Sequence, residues 1–263
     1  MEHFELVQSI VNKNYLNELI KKRKNIKFFS DKIPDKDIIK KILNDTLASA
    51  PVKNNIYHYS LEVYGPEFYE AKKSLLLQTL CVPKARSPKK GLLKMMGTDM
   101  EKIKMMTNDE IKDAYDKKIQ YLNTWEFEDI IQNFKVNTQV IAPYLLVYKF
   151  HRNQYIPQRI KNRKNSEEIK TVSWSYEGAI MQASMHSMIL SLYASYYDID
   201  HGFCRCYGKC KGNEKNTIFN EPKENLIFML GLGYRGEEPY PGLCNERDTK
   251  SEKPKPEQIY QWM

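Results

Sequence analysis

The stretch from Tyr176 to Tyr197 limits the possible folds of this chain more than any other. Ala179, Ile180, Ala183, Met185, Met188, Ile189, Leu192 and Tyr193 leave little room for a wet face. A helix that is apolar nearly all round belongs in a membrane or at the centre of a large core. No uninterrupted apolar run approaches the ~20 residues of a membrane span, and the mean hydropathy is −0.63. The segment is therefore expected to be a central buried helix, and the other elements must wrap it. A chain of 263 residues is long enough to do so, as one large domain or two small ones.

Composition narrows the class. Hydrophobic residues make up 41% and charged residues 28%, which suits a soluble globular chain and neither a disordered one nor a secreted disulfide scaffold. Residues 1–12 contain Glu2, His3, Glu5 and Gln8 and do not read as a signal peptide. With five cysteines, an odd number, a reducing and cytoplasmic setting is expected. The net charge of +8 would suit an anionic ligand or a nucleic acid. Its Lys and Arg residues are interleaved with acids, however, so most read as solvated surface.

Along the chain, Phe4 to Lys22 has helical periodicity and ends in the basic run Lys21 to Lys27. Ser30-Asp31 and Pro34-Asp35 signal a cap. Asp35 to Ala48 reads as a second helix with Ile38, Ile39, Ile42, Leu43 and Leu47 on its apolar face, stopped by Ala50-Pro51. Tyr57–Tyr64 reads as a strand, Pro66–Leu80 as a helix, Cys81–Gly97 as irregular and Asp99–Trp125 as helical. Pro143–Phe150 and Asn225–Leu230 are strong strands, the second ending in Gly231-Leu232-Gly233-Tyr234. Arg152–Lys170 reads as a long loop, and the tail from Glu237 to Met263 as extended. Strands separated by long helices, with no internal repeat or linker, indicate a single α+β or α/β domain over residues 1–263.

Chemistry concentrates first in Arg23-Lys24-Asn25-Ile26-Lys27 at a helix end. Arg23 and Lys27 are four apart, so a continuing turn sets both on one side, a clamp suited to phosphate. By itself such a cluster is more often a partner of the helix dipole and solvent. Its context adds weight. The cluster, then Phe29-Ser30-Asp31-Lys32-Ile33-Pro34, then an amphipathic helix running to Ser49-Ala50-Pro51-Val52-Lys53-Asn54-Asn55, resembles the opening of the nitroreductase family of flavoproteins. The resemblance continues in Ala142 to Val147 (a central strand), Glu177 to Ala183 (the start of a long core helix), Asp198-Ile199-Asp200 (its end) and Phe228 to Tyr234 (a late strand). It covers residues 15–65 and 136–262 in consistent order.

The resemblance implies a nitroreductase-like three-layer α+β fold, a mixed sheet flanked by helices, in a domain-exchanged homodimer with FMN at the interface. Residues 81–130 would be a variable helical insertion, and 237–263 an extension reaching the partner with Ile259, Tyr260 and Trp262. Carried over by position, Arg23 and Lys24 lie on the FMN phosphate and Asn25 stands where Ser is usual. Lys27 would be the cation near flavin N1/O2, where negative charge accumulates after hydride arrives at N5. Pro51, Val52 and Asn55 match the loop that reaches the partner's flavin, with Val52 replacing a Ser. Arg205 and Cys206 match the residues whose N–H groups approach N5. Lys253, with Arg247 and Lys250 as rivals, matches a late phosphate contact. NAD(P)H would be the reductant in a ping-pong cycle, and nitroaromatics, quinones, enones or flavins the small-molecule acceptors.

Several residues keep a second reading. Cys204, Cys206 and Cys210 form C-x-C-x3-C, and with Cys244 could hold a metal. The spacing matches no common zinc knuckle, so unligated thiols are the expectation. His201 reads as an incidental residue of the flavin loop, His58 as flanking the substrate pocket and His186 as a satisfied core histidine. Tyr121, Trp125 and Phe127 read as core in preference to a flap over the flavin. Gly231-Leu232-Gly233 lacks the third glycine of a dinucleotide fold. Two alternatives stand beside the oxidoreductase: a family-shaped protein that binds flavin without turnover or binds none, and a basic nucleic-acid-binding protein.

Overall fold

The computed structural model describes residues 14–52, 55–78, 88–134, 136–158, 176–204 and 226–237. Helix α1 occupies residues 14–22, and α2 runs over Lys36–Ser49. Asp35 starts α2 by accepting the Asp37 N–H at 2.6 Å. Ala50 ends it in extended backbone, as a residue before proline must be. Ile39, Ile42 and Thr46 form its buried face, whereas Leu47, expected on that face, is 51% exposed.

Strand β1 (Tyr57–Tyr64) has the expected bounds. The next segment opens with a 3-10 turn at Pro66–Phe68 and becomes α3 at Tyr69–Gln78. The part expected to be irregular contains a helix, α4 (Pro88–Met95). The long helix expected beyond it is two helices, α5 (Met100–Met105) and α6 (Asn108–Leu122). They separate at Thr107, whose hydroxyl accepts the Glu110 N–H while the Glu110 carboxylate accepts the Thr107 N–H. This reciprocal cap fixes a new helix start. Helix α7 (Phe127–Asn133) and a 3-10 turn at Thr138–Ile141 lead into β2 (Tyr144–Tyr155). β2 extends past Phe150 because its end pairs with Tyr57 at the start of β1, so Arg152 to Tyr155 are strand, not loop.

Helix α8 is Tyr176–Tyr196. It ends where Asp198 takes a left-handed conformation, φ 57°, and the Ile199 N–H returns to the Ala194 carbonyl at 2.9 Å. Glycine is the usual residue there; Asp tolerates it better than most side chains do. Lys22 pairs with the Asp198 carboxylate and so ties α1 to the end of α8. Next comes β3 (Asp200–Cys204), a strand not expected from sequence, and then β4 (Leu226–Gly233). Gly231 to Gly233 are therefore the last three residues of the strand itself.

The sheet order is β1-β2-β4-β3, with every described strand pair antiparallel. Among the described residues its parallel component is the bridge Asn25 to His201, at the β3 edge. Leu145, Leu146, Val147 and Tyr148 of β2 are all fully buried, as a strand covered on both faces requires. On one face, Tyr144, Leu146 and Tyr148 pack with Ala179, Ala183, Leu190 and Ala194 of α8; the alanines let the helix approach the sheet closely. On the other, Leu145, Val147 and Met229 pack with Leu75 to Leu77 of α3, Leu92 of α4 and Leu122 of α6. Trp125 and Phe127 join this second core, as expected, but Tyr121 is 56% exposed.

α8 is not buried all round. Met181, Met188 and Tyr196 form an exposed apolar face, with Tyr15, Leu16 and Ile20 of α1 and Leu47 of α2 also exposed. Among the described residues no helix is long and apolar enough to cross a membrane.

Candidate functional site

The basic run emerges from α1 and is immediately bound to the edge of the sheet. The Ile26 N–H donates to the His201 carbonyl at 2.9 Å, alongside the Asn25–His201 bridge. Asn25 Oδ1 accepts the Phe203 N–H at 2.7 Å. From the other face, Gln139 Nε2 donates to the Ile26 carbonyl at 2.6 Å, and Thr138 Oγ1 to the Lys27 carbonyl at 2.7 Å. Downstream, Gly236 N–H bonds the Phe28 carbonyl and Ser30 N–H the Tyr234 carbonyl. Residues 25–30 thus run along the sheet edge, anchored at nearly every step.

Gly202 permits this approach. A Cβ there would lie 2.4 Å from the Ile26 carbonyl oxygen and 2.9 Å from Gln139. Any side chain would push the basic segment off the edge. Gly231 plays the same part under Phe29, where a Cβ would lie 2.7 Å from the Gln139 carbonyl oxygen.

Arg23, Lys24, Asn25 and Lys27 are therefore brought together on one anchored segment. Arg23 is half-buried, Lys24 exposed and Lys27 half-buried. Four backbone or side-chain bonds fix the path of the chain between them, which a mobile basic tail would lack. Asn25 Oδ1 is committed to the Phe203 N–H and to Gln139 Nε2, so only the side-chain amide N–H groups can serve an anion. Pro51, Val52 and Asn55 lie elsewhere, between α2 and β1. Pro51 and Asn55 are exposed, and Asn55 has a positive φ of 56°. Among the described residues no hydrogen bond joins them to residues 23–27. Arg205, Cys206, Lys253, Arg247 and Lys250 lie outside the described residues.

The histidines fall differently from expectation. His58 is fully buried on β1, its N–H donating to Gln182 Oε1 at 3.1 Å, so it does not flank an open pocket. His186 is the expected core residue: its Nδ1 meets the Tyr148 hydroxyl at 2.9 Å, and burial pushes its imidazole down to about 4. His201 is no loop residue. It is fully buried on β3, neither ring nitrogen has a partner among the described residues, and burial and the Arg23 guanidinium push it down to about 4.

Cys204 is buried and its Sγ accepts from Asn137 Nδ2 at 2.9 Å; Cys206, Cys210 and Cys244 lie outside the described residues. Among the described residues no cluster of three or more His, Cys, Asp or Glu side chains could hold a metal.

Sequence reasoning missed Thr138, Gln139 and Lys72. Lys72 is buried on α3 and donates to the carbonyls of Ala142 and Pro143 at 2.7 and 3.0 Å, fixing the turn that carries Thr138 and Gln139. Burial pushes its ammonium down to about 8. No periodicity marks these residues, because they serve backbone atoms distant in sequence.

This element order and this sheet define a nitroreductase-like fold. A protein of Exiguobacterium sibiricum designated a nitroreductase and solved in complex with FMN matches with a TM-score of 0.53 at 14% identity, over 94% of this chain and 97% of that one. A protein of Staphylococcus epidermidis designated an NAD(P)H:FMN oxidoreductase matches with a TM-score of 0.52 at 12% identity, over 94% and 95%. No protein-family model matches the chain, and no curated protein sequence does. The likeness to nitroreductases is thus one of fold, at 12% to 14% sequence identity.

Proposed function

We propose that this chain is an FMN-dependent oxidoreductase of the nitroreductase type, working as a homodimer. The observation that carries the reading is the anchored basic segment Arg23–Lys27 on the β3 edge. It presents cations and the Asn25 amide at one fixed place, in a fold whose Exiguobacterium sibiricum relative was solved with FMN. A phosphate needs such a prepositioned donor set; the cofactor's ring needs only a dry face and a nearby cation. The donors fit the group. Arg23 and Lys24 would hold the phosphate, with the Asn25 amide N–H groups beside them. Lys27, held in place by the Thr138 bond to its carbonyl, would offset charge at the N1/O2 edge.

When bound, FMN supplies hydride exchange between a nicotinamide donor and an acceptor such as a nitroaromatic, quinone, enone or flavin. The chain binds it, orients it against β3 and excludes water from the ring. The exposed apolar faces of α1, α2 and α8 support the homodimer. They border a groove of about 540 Å³ lined by Leu19, Lys41, Asp45, Ser49, Tyr193 and Tyr196, which a second copy would cover. Pro51, Val52 and Asn55 would then serve the partner's site, consistent with their distance in sequence and bonding from residues 23–27. Nucleic-acid binding is the poorer reading. On α2, α5 and α6 lysines face acids of the same helix, as in Lys40–Asp37, Lys41–Asp45, Lys104–Glu101 and Lys117–Asp113.

The test is the visible spectrum of the purified protein with FMN, followed by anaerobic NADPH and NADH. Flavin bands that bleach are expected, with Arg23→Ala weakening FMN binding about tenfold or more, the loss of a charge-assisted bond. Bands that never bleach would make the chain a flavin binder without nicotinamide turnover. Failure to bind FMN at all would sink the proposal.

A further inference from the structure

His201 is buried beyond the reach of solvent, and both of its ring nitrogens lack a hydrogen-bond partner among the described residues. A neutral imidazole has one N–H to donate and one nitrogen to accept. A native structure that leaves both unmet calls for a ligand, an ion or a water. This fold is able to satisfy a buried imidazole: His186, 3% exposed, has the Tyr148 hydroxyl at 2.9 Å. His201 differs in its neighbourhood. Its backbone bridges Asn25 and accepts from Ile26, which places His201 on the strand that carries the anchored basic segment. On β3 its neighbour is the edge of the Phe203 ring, 5.5 Å between centroids, which offers no acceptor. A guanidinium and an unspent N–H on two paired segments are groups that an oxyanion takes up together.

We propose that His201 is a further ligand of the anion site formed by Arg23 and Asn25, its imidazole N–H donating to the phosphate monoester of the molecule seated there. Naming that molecule as FMN rests on the flavin reading above; the chemistry of His201 asks only for a phosphate. The residue thereby discriminates between a phosphorylated flavin and the same ring system without its phosphate. It also explains why a histidine, and not an apolar residue, occupies so dry a position on β3.

The experiment uses the full chain as wild type, His201→Leu and His201→Gln. Flavin fluorescence quenching measures affinity for FMN and for riboflavin, which lacks the phosphate. In protein prepared without added flavin, imidazole nitrogen resonances are followed while inorganic phosphate is titrated. The expected result is that His201→Leu weakens FMN about tenfold, the scale of one bond to a charged group. Riboflavin affinity should be unchanged, His201→Gln should recover part of the loss, and phosphate should move the His201 resonances. FMN and riboflavin weakening together would make His201 a shaper of the pocket and overturn the proposal. So would unchanged FMN affinity, or His201 resonances indifferent to phosphate, the signature of a ring satisfied by a buried water. If wild type takes neither flavin while phosphate still moves His201, the anion site stands and the flavin reading falls. If His201→Leu does not fold, His201→Gln and the wild-type titration decide the matter.

Discussion

His186 and His201 are the same residue, buried to the same degree and pushed to the same low pKa, in two regions that use them differently. His186 sits between α8 and the sheet, its ring 5.7 Å from Tyr148 and 5.6 Å from Tyr59, and its Nδ1 is satisfied. His201 sits at the sheet edge beside the basic segment, with neither nitrogen partnered among the described residues. Burial alone therefore says little about role. Hydrogen-bond satisfaction among the described residues is what separates the two rings, and the proposal for His201 rests on it.

Acid tests what the two histidines share. For each, the folded pKa is about 4 against 6.5 for the free ring, so between those values the unfolded chain binds the proton more readily. Stability should be full above pH 6.5, fall as pH drops toward 4, and level off below. The loss approaches about 3 kcal/mol per histidine, the shift times the free-energy equivalent of one pKa unit. Denaturant melts from pH 7 to pH 4 measure it, and His201→Leu should remove about half of the dependence. A flat profile across that window would mean that both rings are far better solvated than the structure describes.

Substitution tests what they do not share. His186→Leu leaves the buried Tyr148 hydroxyl without a partner and should cost about 2 kcal/mol in chemical denaturation. Adding Tyr148→Phe should restore most of that, because removing both members of a buried pair is nearly neutral. The smallest effect is expected for His201→Leu, which removes an unmet polar group: a change within about 1 kcal/mol of zero, toward higher stability at neutral pH. Equal destabilisation by the two leucine variants would erase the distinction between the regions.

Not every element was equally legible. Asp35 before α2 and the aromatic, branched run Tyr57–Tyr64 announced themselves, because cap chemistry and strand periodicity are local. Thr107-Asn108-Asp109-Glu110 carried a capping-box pattern that would have split α5 from α6, a signal present but overlooked among the surrounding charges. β3 offered no such signal. Asp200-His201-Gly202-Phe203-Cys204 is short, polar and interrupted by a glycine, and it becomes a strand because Leu226–Gly233 supplies its hydrogen bonds. The Arg23–Lys27 cluster was visible as a string of cations, but its anchoring was not. Gln139 and Thr138 hold it from more than a hundred residues away.

By itself, then, the sequence determined part of the local matters: the start of α2, the strands β1, β2 and β4 though not their full extents, a long apolar helix in the core, and where positive charge gathers. These follow from periodicity, capping and charge within a few residues. The tertiary structure alone decided that α8 keeps an exposed apolar face, that Gly202 lets residues 25–27 lie on the sheet edge, and that His186 has a partner where His201 has none among the described residues. Those outcomes depend on which distant atoms come within hydrogen-bond or van der Waals reach, and no window of sequence contains both members of such a pair.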